Sequence, residues 1–118
     1  MSSILLVDDD EGMVETLADI LTARDYAVST ADSGEAAVEQ VRRSGFDVVL
    51  MDIKMPGLNG VEALRTMKAE GLAKRVIMMT AHMRGKLVKE AEEQSGFPVL
   101  PKPLDMERLL ALAMSATS

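Results

Sequence analysis

Five short apolar runs alternate with five stretches of helical spacing, and this alternation restricts the fold more than any other feature of the chain. The runs are Ile4–Val7, Tyr26–Thr30, Val48–Met51, Val76–Met79 and a weaker Val99–Leu100. Their aliphatic and β-branched character suits strands buried on both faces. Between them, Met13, Leu17, Ile20 and Leu21 recur at i, i+4, i+7 and i+8, one face of a helix. Ala37, Val38 and Val41 follow Ser33, a fitting N-cap, and Val61, Leu64 and Met67 form a third stripe that ends near Gly71. Leu87, Val88 and Ala91 mark a fourth, and Asp105 caps a fifth carrying Leu109, Leu110 and Ala113. Strand and helix thus alternate throughout, which calls for a parallel sheet covered by helices on both sides. The links are short, and 118 residues suffice for one core, so residues 1–118 read as a single α/β domain.

Composition removes several functions. Apolar residues make up 47% and charged residues 27%, a globular balance. The net charge of −6 argues against direct nucleic-acid binding, which needs a basic face. With no Trp, one Tyr and two Phe, the chain has no platform for stacking bases. No apolar run approaches the roughly 18 residues of a membrane helix, and no signal segment opens the chain. The absence of cysteine excludes thiol chemistry and favours a reducing, cytoplasmic setting. The ten methionines read as adaptable core filling.

The polar residues that close the strands carry the chemistry. Asp8, Asp9 and Asp10 follow the first strand, Asp52 the third, Thr80 the fourth and Lys102 the fifth. Singly, each has an ordinary explanation: an aspartate there caps a helix, as Asp10 is placed to do, a threonine suits a strand, and a lysine is solvated. Together they are harder to dismiss, because right-handed crossovers bring these strand ends to one rim, where open α/β sheets bind ligands. Two carboxylates about 4 Å apart repel by about 4 kcal/mol at an effective dielectric near 20. Either one takes up a proton or a cation neutralises them. Hard oxygen ligands with room for water suit Mg²⁺. Asp9 and Asp52 are placed to hold it directly and Asp8 through water. The free Asp52 oxygen is then a nucleophile for a phosphoryl group, whose oxygens need the ion, the Lys102 ammonium and the Thr80 hydroxyl.

"ILLVDDD", "DVVLMDIKMPGLNG", "VIMMTA" and "VLPKP" resemble the receiver domain of two-component response regulators, the chemotaxis-regulator-like group, over essentially the whole chain. The resemblance implies a doubly wound, flavodoxin-like (βα)5 fold with strand order 2-1-3-4-5. It implies that Asp52 accepts a phosphoryl from a sensor histidine kinase or phosphotransfer protein. It implies Mg²⁺, replaceable by Mn²⁺, on Asp9, Asp52 and the main-chain carbonyl of Lys54, with Asp8 assisting. Thr80 would move toward the phosphoryl and Lys102 pair with it across a cis Lys102–Pro103 bond. The resemblance also implies a downstream effector or output domain, read through the fourth helix, fifth strand and fifth helix, and a homodimer as one possible assembly. Lys86, Lys89, Glu90, Glu93 and Arg108 are expected on that readout face.

The chain departs from this pattern in places. Val99 stands where the family carries Tyr or Phe, and Phe97 is two residues out of phase, so Thr80 and its loop are left to carry the conformational signal. Leu104 replaces a customary Phe. Lys54 and His82 occupy positions that tune phosphoryl lifetime; a basic Lys54 is expected to shield an acyl phosphate from water, and His82 to lie at the surface. On this reading the domain catalyses its own phosphorylation and slow dephosphorylation and is not a metabolic enzyme. Two alternatives stand beside it. One is a pseudo-receiver that binds partners without taking up a phosphoryl. The other is a haloacid-dehalogenase-type phosphatase, for which Asp8 and Asp10 have the spacing, although Gly12 and the lack of a late acid pair fit it poorly.

Overall fold

A computed structural model describes residues 2–72 and 75–117. Ten elements alternate along them: β1 (Ser3–Val7), α1 (Glu11–Thr22), β2 (Ala27–Ala31), α2 (Gly34–Arg43), β3 (Val48–Asp52), α3 (Gly60–Ala69), β4 (Val76–Thr80), α4 (Lys86–Ser95), β5 (Leu100–Pro101) and α5 (Met106–Thr117). The strands form one parallel sheet in the order β2-β1-β3-β4-β5, the doubly wound arrangement expected.

Alternation along the strands divides the core into two. Leu5, Val7, Val49, Met51 and Met78 point to the side covered by α2, α3 and α4. Ile4, Leu6, Val48, Leu50, Ile77 and Met79 point to the side covered by α1 and α5. Because β3 and β4 are central, every one of their residues is buried. The edge strand β2 is half exposed, which is why its sequence, Ala-Val-Ser-Thr-Ala, is the least apolar of the first four. Met51, Met55, Met67, Met78 and Met79 are buried and fill the core as expected, whereas Met83 and Met114 are exposed.

The caps read from sequence are present. The Asp10 side chain accepts from the Met13 N–H, Ser33 from Ala36, and Asp105 from Glu107 and Arg108. Several expectations shift. β1 begins one residue earlier than read, at Ser3, β2 runs Ala27–Ala31 instead of Tyr26–Thr30, and β3 and β4 each run one residue further, to Asp52 and Thr80. On α1 the buried residues are Val14, Leu17 and Leu21, with Met13 and Ile20 only partly covered. The helical step places Val14 on the line through Leu17 and Leu21 and leaves the other two on its flanks. The last strand is Leu100–Pro101 instead of Val99–Leu100, because the Val99 N–H donates to Glu92 Oε2 of α4 at 3.1 Å and not to the sheet.

Candidate functional site

Register brings the strand ends together. Val7 lies beside Met51, Asp52 beside Met79, and Thr80 beside Pro101. β1, β3, β4 and β5 therefore each deliver the polar residue at their end to the same rim. Asp8, Asp52 and Thr80 are buried there, and Asp9 is exposed. One carboxylate oxygen from each of Asp8, Asp9 and Asp52 lies within 4.8 Å of the others. This all-oxygen, partly open donor set fits a hard divalent ion that keeps some of its water.

Lys102 closes the site from β5. Its backbone N–H donates to the Thr80 carbonyl at 2.8 Å, which continues the ladder one residue past the strand. Its Nζ donates to Asp8 Oδ2 at 2.5 Å and to Asp52 Oδ2 at 3.0 Å. The Lys102–Pro103 bond is cis. Asp8 also accepts from the Asp10 N–H at 3.0 Å, so both of its oxygens are engaged. The sequence reading gave Asp8 only an assisting place near the ion; its direct bond to the lysine was not visible there.

The electrostatics follow from this packing. Burial raises the Asp52 pKa; the Lys102 hydrogen bond opposes the rise, and the Asp8 charge adds to it. A further hydrogen bond from the Lys54 backbone lowers it. Burial works against the Lys102 charge, but the bonds to Asp8 and Asp52 outweigh it and carry its pKa above the ordinary lysine value. Two acids thus share one ammonium in a poorly hydrated pocket, and one negative charge remains uncompensated.

Thr80 and the flanking residues complete the picture. The Thr80 hydroxyl donates to the His82 carbonyl at 3.4 Å and accepts from the His82 N–H at 3.2 Å. Both bonds tie the hydroxyl to its own loop. His82 is exposed, as expected, and Lys54 is exposed as well. Val99 is buried, and Phe97 is partly buried against the half-core on the α1 and α5 side of the sheet. Of the expected readout face, Glu90 falls elsewhere: it pairs with Arg65 of α3.

Two glycines that the sequence reading passed over set how closely the loop after β3 approaches the site. A Cβ on Gly60 would sit 2.3 Å from the Asp52 carbonyl oxygen, and one on Gly34 2.5 Å from the Leu58 carbonyl oxygen. Their signal in the sequence is faint, since a glycine at the first position of a helix has an ordinary local explanation.

The sheet is doubly wound and five-stranded, with an acid trio and a lysine at its carboxyl rim, and residues 4–114 match the family model for the response regulator receiver domain. The chain belongs to that family. It is 39% identical over 108 residues to the transcriptional regulatory protein ZraR of Escherichia coli strain K12, covering 92% of this chain and 24% of that protein. To the transcriptional regulatory protein FixJ of Bradyrhizobium diazoefficiens it is 33% identical over 113 residues, covering 96% of this chain and 55% of that protein. The chain thus spans from about a quarter to about half the length of these relatives. The crystal structure of FixJ-N superposes with a TM-score of 0.89 at 26% identity, covering 99% of this chain and 94% of that one. No helix among the described residues is long and apolar enough to cross a membrane.

Proposed function

We propose that this receiver domain is a switch operated by phosphorylation of Asp52. The observation that carries the reading is the shared ammonium: Lys102 lies 3.0 Å from Asp52 Oδ2 and is held there by Asp8. Asp8, Asp9 and Asp52, with the main-chain carbonyl of Lys54, would hold Mg²⁺, or Mn²⁺ in its place. Bound there, the ion would neutralise phosphoryl oxygens. Asp52 supplies the attacking oxygen. An O–P bond forms to its carboxylate as the P–N bond of a kinase or phosphotransfer-protein phosphohistidine breaks, and the imidazole nitrogen keeps the electron pair. Lys102 pairs with one phosphoryl oxygen, and the Thr80 hydroxyl donates to another once it leaves His82. The domain acts on itself, turns over slowly and is not a metabolic enzyme.

The modification adds about 1.5–2 negative charges. The Thr80 loop and α4 respond, and an effector or output domain reads the face formed by α4, β5 and α5. Its relatives ZraR and FixJ are named transcriptional regulators, which suits an output domain that controls transcription, while the charge of −6 keeps this domain itself off nucleic acid. A cytoplasmic kinase partner fits the absence of cysteine.

Incubation with Mg²⁺ and acetyl phosphate, followed by intact-mass spectrometry, tests the proposal. One phosphoryl is expected on the wild type and none on Asp52→Asn. Equal labelling of both would place the acceptor elsewhere. Mg²⁺ binding with no labelling of either would return the domain to the pseudo-receiver alternative.

A further inference from the structure

The loop between β3 and α3, residues 53–59, carries the Lys54 carbonyl assigned above to the ion. Its ends are well fixed. The Gly60 N–H donates to the Ile53 carbonyl at 2.8 Å, and Asn59 and Glu62 cap each other's backbone at the start of α3. Ile53 and Met55 are buried. Between the fixed ends, Pro56 and Gly57 are exposed, Leu58 only partly packs on the core, and Gly57 adopts φ +75°, open to glycine but costly in conformational freedom to fix.

One side chain from another element reaches this stretch. Glu35, in the first turn of α2, accepts the Leu58 N–H on Oε1 at 3.0 Å. Its carboxylate also lies against Gly57, where an added Cβ would meet Oε2 at 3.1 Å. Next to it, Gly34 lets the start of α2 approach the Leu58 carbonyl so closely that no Cβ would fit. Glu35 makes no other hydrogen bond or ion pair among the described residues. An acid in a first helical turn has a bland explanation in the helix dipole, but that explanation asks neither for a loop N–H on the carboxylate nor for the glycine beside it.

We infer that Glu35 is a positioning residue for the acceptor loop, clamping it through the Leu58 N–H so that the Lys54 carbonyl is held ready for the divalent ion. The inference rests on the proposed function for its consequence and on the loop geometry for the clamp. Glu35 touches neither ion nor phosphoryl; it acts through the backbone, as the groups behind metal ligands do.

Two readouts on the full chain test it. In metal-free protein, amide exchange at Leu58 reports the clamp directly. Glu35→Ala is expected to speed that exchange about tenfold, and Glu35→Gln, whose amide oxygen still accepts, to leave it near wild type. With Mg²⁺ alone as titrant, Glu35→Ala is expected to raise the half-saturating concentration about tenfold. In phosphorylation by acetyl phosphate, the maximal rate at saturating Mg²⁺ should be unchanged and Glu35→Gln should behave as wild type. Unaltered Leu58 exchange in Glu35→Ala overturns the clamp. Equal impairment of Ala and Gln assigns the effect to the helix dipole and overturns it as well. Failure of the wild type to bind Mg²⁺ would instead strike the proposed function, with the exchange result still deciding the clamp.

Discussion

At the scale of single residues, Asp52 holds a charge in a place that disfavours it. Its pKa is raised by burial and by Asp8, against the help of Lys102 and the Lys54 N–H. A carboxyl whose folded pKa lies above its unfolded one, here ordinarily 3.8, weakens the fold while ionised. The weakening is complete above the folded pKa and disappears as pH falls through that value toward 3.8. Asp52→Asn removes it and leaves Lys102 paired to Asp8. In metal-free protein at neutral pH, the variant is expected to be the more stable of the two, read as a higher Tm. The gain should shrink toward zero as pH is lowered to 3.8. Thermal unfolding in chelator across that range measures it, and a variant less stable than wild type at pH 7 would mean that the Lys102 bond outweighs burial.

At the scale of elements, the start of α3 is tied to the end of β3 through Gly60. Its N–H bonds the Ile53 carbonyl, and the space for a Cβ is taken by the Asp52 carbonyl oxygen and the Met78 methyl. One contact is rigid backbone and the other a central core side chain, so relief requires moving the helix or the strand. Gly60→Ala is expected to cost about 3 kcal/mol, read as a lowered urea midpoint with unchanged slope. A midpoint equal to wild type would show that α3 slides freely on the sheet. Elements were legible in the sequence wherever burial enforced a period. The stripes of α2 and α3 stand as read and the central strands differ only by one added polar residue at the end, Asp52 and Thr80, because burial enforces the apolar part. The α1 stripe shifted to Val14 and β5 moved by one residue, because a flank position and a side-chain acceptor, Glu92, do not register in a pattern of apolar residues.

At the scale of the whole molecule, two half-cores on either side of one sheet make the domain a single cooperative body, with the site at the rim where both halves end. An ion bound by the folded site alone therefore stabilises everything at once. At 100 times its dissociation constant, Mg²⁺ should add about 2.7 kcal/mol to the wild type and distinctly less to Asp52→Asn, read from thermal scans with and without the ion. Equal shifts in both would remove Asp52 from the ligand set. The acids, the threonine and the lysine could be read from the sequence because they share a rule of position, each closing a strand. Glu35 and Gly60 could not, because what they meet is backbone of another segment, and only coordinates show such approaches. The Thr80 hydroxyl finally bears on the kinetics of any switching. It donates to the carbonyl of His82 and accepts from the N–H of the same residue, so any reach toward a phosphoryl first breaks the donated bond. The release of that one contact is then a toll levied on the loop before any signal can leave the rim, and a substitution that removes the hydroxyl, Thr80→Ala, would lift it and the reach together.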